Sequence, residues 1–143
     1  MDGSTLIGIG VHRVVYDDIP WMMSLAYERY GPYDPGGALL FLLQGLKSES
    51  TVMLRSYRKD AFLIASWIAA PWWPNKRECH LVFLCARTGA HWQAVKLLRE
   101  SIVWARLQGC TRWRFHSDTE NDIGALCRLL KAREDSPRYV IDL

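Results

Sequence analysis

A chain of 143 residues is long enough for one domain with its own buried core and short for two of ordinary size. Half of it is hydrophobic and 23% is charged, which excludes a disordered polymer. The net charge of +3, from 18 Lys and Arg against 15 Asp and Glu, suits an anionic ligand. It does not argue for nucleic acid, which is not an expected partner: that class usually meets a clustered basic face, whereas the longest basic cluster here, Lys76-Arg77, is short.

Four cysteines, Cys79, Cys85, Cys110 and Cys127, form no CxxC pair. Cys79 and Cys85 share strand parity and have apolar neighbours, so buried thiols in a reducing compartment are expected rather than a metal site. The N-terminal residues MDGSTLIGIGVHRVV lack a basic leader, and no apolar run reaches about 18 residues. A cytoplasmic chain without a membrane span is the expectation. Seven tryptophans are many for this length, and some are expected on a contact surface.

In chain order, VHRVVY (11–16) reads as a strand through its β-branched content. Asp17 or Asp18 then caps a helix with Pro20 in its first turn. Ile19, Met22, Met23, Ala26 and Tyr30 recur at helical spacing, and Gly31 stops the run. Asp34 and Pro35 start a second helix with Leu39, Leu42, Leu43 and Leu46 as its inner stripe. Strands follow over 51–58 and 61–70, joined as a hairpin at Lys59-Asp60. PWWPNK (71–76) bends the chain, and ECHLVFLCA (78–86) returns as a third consecutive strand, apolar on both faces and therefore central. Gln93 to Gln108 reads as a helix burying Ala94, Leu97, Leu98, Ile102 and Ala105, with Gly109 as its stop. A strand over 110–117, a helix over 119–132 and a last strand over 138–143 complete the order β-α-α-β-β-β-α-β-α-β. The expected architecture is one α/β (α+β) domain over 1–143, a mixed and mostly antiparallel sheet with helices on both faces.

That order resembles the GNAT-type N-acetyltransferases over nearly the whole chain. The resemblance implies that the strand ending near residue 86 leads into a loop of the form Q/R-x-x-G-x-G/A. Such a loop opens the long helix and binds the pyrophosphate of acetyl-coenzyme A on unpaired helix-start amides. Anchored on Leu97-Leu98, the loop maps to GAHWQA, that is Gly89, Ala90, His91, Trp92, Gln93 and Ala94. Gly89 then stands at the Q/R position, Trp92 at the first glycine and Ala94 at the second small residue, where only Ala94 matches. A second register, RTGAHW, recovers Arg87 and Gly89 but starts the helix several residues early. Trp92 either stacks on adenine or blocks the pocket.

The same resemblance implies that Glu78, at the start of the strand, deprotonates an acceptor amine, with His80 on the same face about 7 Å away. The alternative is a solvated carboxylate paired with Arg77 or Lys76. Backbone amides around Leu84, Cys85 and Ala86 would stabilise the oxyanion where a bulge splays the strand, and the splay would let pantetheine pair as an added strand. Asn121 fills the place of a family asparagine, or else caps a helix. The family's tyrosine proton donor has no counterpart between Trp113 and Arg138, so Cys127, His116 or water would replace it. Trp72 and Trp73 form a platform for an acceptor or another subunit, or cover the end of the sheet.

The function implied is transfer of an acetyl group from acetyl-CoA to an amine or hydroxyl acceptor by direct attack. The contrasting reading is a catalytically degenerate member acting as a binding or assembly protein, for example a phage or mobile-element component. A chain ending after one strand also leaves a sheet edge for a second copy, so a homodimer is an expectation.

Overall fold

The computed structural model of the protein describes residues 10–70 and 73–115. Its elements are β1 (Val11–Arg13), a 3-10 turn (Tyr16–Asp18), α1 (Ile19–Tyr30), α2 (Pro35–Lys47), β2 (Thr51–Ser56), β3 (Ala61–Ala70), β4 (Trp73–Ala86), α3 (His91–Leu107) and β5 (Cys110–Arg114). The sheet order is β1-β2-β3-β4-β5, antiparallel except for the parallel pair β4-β5, whose crossover is α3. This is the expected mixed, mostly antiparallel sheet. The helix and strand expected after residue 118 lie outside the described residues.

Two apolar layers sandwich the sheet, because β3 is apolar at every position from Ala61 to Ala65. Leu63 and Ala65 join Val52, Leu54 and Cys79 beneath Leu97, Leu98, Trp104 and Ala105 of α3. Phe62 and Ile64 point the other way, to Met22 and Leu25 of α1, Leu42 of α2, and Cys85. Cys79 and Cys85 are buried free thiols. Burial, helped by the neighbouring Cys110, pushes Cys79 up to about 12; burial pushes Cys85 to about 11, so both stay protonated.

Local grammar explains the helices. Pro20 lies in the first turn of α1, and Gly31 ends it at a φ of 79°, donating its amide to Tyr27 O at 2.8 Å. Asp34 caps α2 by accepting from the Gly36 amide at 3.2 Å. Several boundaries differ from expectation. The first strand stops at Arg13, because Tyr16–Asp18 wind into a turn that carries Asp18 inward. The hairpin strand β2 ends at Ser56, whose hydroxyl accepts the Asp60 and Ala61 amides at 3.0 Å each and closes a wider turn. β4 starts at Trp73 rather than Glu78, since β3 runs on to Ala70 and pairs with it there.

Helix faces are also rotated slightly. The buried stripe of α3 is Val95, Leu97, Leu98, Ser101, Trp104 and Ala105, with Ala94 and Ile102 only half-buried. Leu25 completes the α1 stripe, whereas Tyr30 is exposed; Leu39 of α2 is exposed beside Leu40 and Phe41. One face of a helix can be read to within a residue from periodicity alone, and the neighbours decide the remainder.

Asp18 ties this frame together. It is 1% exposed and accepts from the Trp21 indole at 2.9 Å, the Val15 amide at 2.9 Å and Arg55 Nε at 3.1 Å. Lys59 Nζ stands 3.9 Å away. Burial works to raise its pKa, but the bonds from Trp21 and Val15 and the Arg55 charge outweigh it and hold the carboxyl below its ordinary value. A depressed folded pKa gives stability that is full above the unfolded pKa and is lost as pH falls through the folded one. Asp18→Asn leaves Arg55 without its charge partner, and a cost of about 3 kcal/mol is expected at neutral pH. Urea titrations of both proteins should show that gap narrowing steadily below about pH 4. A gap independent of pH would mean that the charge of Asp18 contributes nothing.

Candidate functional site

The site begins with an irregularity in β4. Ile64 pairs with Phe83 and the next residue, Ala65, pairs with Leu81, so Val82 has no partner in β3. A single extra residue bends a strand and leaves its own backbone groups outside the ladder. It also resets the faces: Leu81 and Leu84 both pack toward α3, while Phe83 and Cys85 turn toward α1 and α2. The bulge thus falls two residues before the Leu84–Ala86 stretch where sequence reading put it.

On its other side, β4 pairs with β5 only from Arg77 to His80. Beyond His80, Leu81 to Ala86 have β3 on one edge and, among the described residues, no strand on the other. Among the described residues, the bulge therefore begins the part of β4 whose second edge carries no strand. The Tyr30 hydroxyl from α1 reaches this stretch and donates to Leu84 O at 3.0 Å, with its ring 5.4 Å from that of Phe83. Sequence reading placed Tyr30 at the helical spacing of Ile19, Met22, Met23 and Ala26, and gave it no role in the site. Its position in the last turn before Gly31, with a polar tip where an aliphatic residue would serve a core, was the available signal.

After Ala86 the chain turns into α3. Arg87 donates its amide to Asp60 O at 2.7 Å, Ala90 donates to Arg87 O at 2.9 Å, and Gly89 adopts a φ of 90° that favours glycine. The Thr88 hydroxyl accepts from Arg29 of α1 at 2.8 Å. The helix starts at His91, two residues earlier than read, and its N-cap is Ala90, which offers no side-chain cap. Its first-turn amides therefore lack a side-chain acceptor at the positive end of a 17-residue helix. Ala90 is buried, Gln93 and Ala94 are half-buried, and His91 and Trp92 are exposed. Trp92, at 65% exposure, packs edge-on to His91 and points outward rather than filling the space beside β4.

Glu78 and His80 belong to the other half of the strand. They pair with Ile68 and Ser66 of β3, whose parity matches Phe62 and Ile64, so they share the α1/α2 face of the sheet. Register sets Glu78 opposite Arg112 and His80 opposite Arg114 on β5. Glu78 carboxylate oxygens lie 3.3 Å from Arg114 Nε, 3.9 Å from Arg112 and 3.6 Å from His80 Nε2. Arg77 is not the partner: it stacks on Trp67 at 4.1 Å and donates to Gln108 O at 2.8 Å. By strand rise, Glu78 lies roughly 13 Å from the bulge and His80 roughly 7 Å. The β5 arginines were the members of this cluster that sequence reading missed. The alternation Arg112-Trp113-Arg114 was their only signal, and it needed the register to be known.

Between α1, α2 and the sheet lies a cavity of about 280 Å³, walled by Met22, Met23, Phe41, Phe62, Val82 and Phe83 among others. Trp73 begins β4, whereas Trp72, His116, Asn121 and Cys127 lie outside the described residues. Among the described residues no cluster of three or more His, Cys, Asp or Glu could hold a metal, and no helix is long and apolar enough to cross a membrane.

No family model matches the chain, and a search of curated proteins finds no match. Solved structures do match. The chain is similar to the apo aminoglycoside antibiotic 6'-N-acetyltransferase AAC(6')-IG from Acinetobacter haemolyticus, at 17% identity and a TM-score of 0.74, over 94% of this chain and 98% of that one. AAC(6')-Iy in complex with the bisubstrate analogue CoA-S-monomethyl-acetylneamine matches at 12% identity and a TM-score of 0.74, over 93% and 95% of the two chains. A transcriptional regulator from Bacillus halodurans also matches, at 10% identity and 0.74, over 93% and 97%. At these identities the likeness concerns the backbone. The bulged β4, the parallel β5 and the helix between them, with these structural matches, place this chain in the GNAT-type N-acetyltransferase fold.

Proposed function

We propose that the protein transfers an acetyl group from acetyl-CoA to an amine or hydroxyl acceptor by direct attack. The observation that carries this reading is the bulged half of β4, whose second edge bears no strand among the described residues, running into an α3 first turn with no side-chain cap. An unpaired strand edge offers amide and carbonyl groups in the spacing that the two amides of pantetheine require. The α3 amides and the helix dipole favour a pyrophosphate. Gly89, Ala90, His91, Gln93 and Ala94 would hold it through their main chain, with Trp92 flanking. Asn121, Trp72 and Trp73 stay assigned from resemblance alone, the last two to the acceptor side.

In the proposed reaction the acceptor nitrogen bonds to the thioester carbonyl carbon, and the carbon–sulfur bond then breaks with its electron pair leaving on sulfur. Backbone N–H groups released at the bulge and along Leu84–Ala86 stabilise the developing oxyanion. The acceptor's proton passes to the Glu78–His80 pair, with His80 the nearer to the bulge and Glu78 reaching it through water. The departing thiolate takes a proton from Tyr30. Burial, with Cys85 nearby, raises that phenol above its ordinary value against the opposing charge of Arg29, so it remains protonated at neutral pH.

A second reading, a binding module without turnover, is favoured by the arginines that occupy Glu78 and by an indole where the family has glycine. Thermal unfolding separates the two. Acetyl-CoA at about a hundred times its dissociation constant adds roughly 2.7 kcal/mol, a rise of several degrees in Tm. No rise at millimolar ligand would favour the module. Glu78→Gln should lower kcat by about a hundredfold while keeping that rise; unchanged turnover would remove Glu78 from the mechanism. Tyr30→Phe should slow acyl transfer by about tenfold or more, with the acetyl-CoA shift intact. Equal rates would return the proton-donor role to water.

A further inference from the structure

The cavity under α1 and α2 is apolar and meets the bulge. Its walls are methionine, alanine, proline, leucine and aromatic side chains, and among the described residues none of them is charged. Two phenols line it, and both hydroxyls are engaged before a ligand arrives: Tyr30 donates to Leu84 O at 3.0 Å, a bond it gives up only to protonate the departing thiolate, and Tyr33 donates to Met23 O at 2.7 Å. A ligand entering here gains contact area and few hydrogen bonds. Val82 and Phe83 of the bulge form one wall, so a molecule seated in the cavity ends at the open half of β4. About 280 Å³ holds one ring system or a short alkyl chain and excludes a helix or a second copy of the chain.

The polar groups on this face of the sheet are segregated. Glu78, His80, Arg112 and Arg114 cluster on the far side of the bulge, at the β5 edge. That cluster is rich in positive charge, and the cavity itself has no carboxylate among its described walls. Polycations need several carboxylates to replace their water, and burying an amino group without one is costly. A molecule with one reacting amine and an uncharged body meets neither penalty.

We infer that the cavity seats an acceptor with a single primary amine and an apolar aryl or alkyl body, and rejects polycationic aminoglycosides. This rests on the acyl-transfer reading for the word acceptor, but the binding it requires does not depend on the donor. The structural relatives named for aminoglycosides therefore share the backbone of this chain while the pocket chemistry selects a different substrate class.

The test uses the whole chain, 2-phenylethylamine and neamine as probes, and ligand-observed NMR titrations, with the acetyl-CoA thermal shift measured on the same samples. Saturable binding of 2-phenylethylamine is expected, with none for neamine at the same concentration. Ala38→Phe, which fills the cavity from α2, should weaken 2-phenylethylamine at least tenfold while leaving the acetyl-CoA shift unchanged. Phe41→Ala removes a half-exposed wall at little risk to folding and should weaken it severalfold. Neamine binding as tightly as 2-phenylethylamine, no 2-phenylethylamine binding at all, or affinity unchanged in both variants would overturn the inference. If 2-phenylethylamine binds and the variants weaken it but acetyl-CoA gives no shift, the apolar pocket stands and the transferase reading falls. A normal acetyl-CoA shift without 2-phenylethylamine binding rejects the apolar acceptor and spares the transferase.

Discussion

Val82 is one residue too many for its strand, and much of the molecule follows from that mismatch. With β3 and β4 in continuous register, Leu84 and Phe83 would exchange faces, and α3 and α1 would each lose part of the apolar surface they cover. The bulge lets both halves of β4 contribute to both layers. Among the described residues the second edge of β4 carries no strand beyond His80. Backbone groups left outside the ladder must find partners elsewhere. Tyr30 meets part of that need by donating to Leu84 O, and the remaining capacity is what a strand-like ligand would use.

Asp18 gathers the start of α1, β2 and the β2–β3 turn onto one buried carboxylate. Arg55 enters that cluster from a β2 position whose cross-strand neighbours are His12 and Phe62. Asp18 thus ties β2 and the β2–β3 turn to the start of α1, and β4 is held to them by the long ladder with β3. Stability and opening reside at different strands, so each can change without the other.

Much of the architecture was legible in the residues themselves. Gly31, Asp34-Pro35 and Gly109 punctuate the helices through backbone and capping preferences that act locally, and the runs at 61–70 and 78–86 are apolar enough to read as paired strands. What could not be read depends on register. Whether Glu78 faces Arg77 or the β5 arginines is decided by which strand lies alongside it, and β5 is more than thirty residues away in sequence. The bulge has no side-chain signature, since Leu81, Val82 and Phe83 look like any apolar strand. Leu39 shares the helical period of Leu42, Leu43 and Leu46 yet is exposed, because Leu42 is the α2 residue that reaches the buried layer. Trp92 looked like an obstruction because a list of residues does not say which way an indole leans.

The open half of β4 and the first turn of α3 present main-chain N–H and C=O groups, and every residue except proline carries both. A recognition surface made of backbone places few demands on the identity of the side chains above it, provided the bulge and the helix start are kept. Substitutions can then accumulate around such a surface with little loss, until the shape outlives any resemblance in letters. That tolerance fits a chain whose likeness to solved structures lies in the course of the backbone, at 17% and 12% identity to the two acetyltransferases, and not in its spelling.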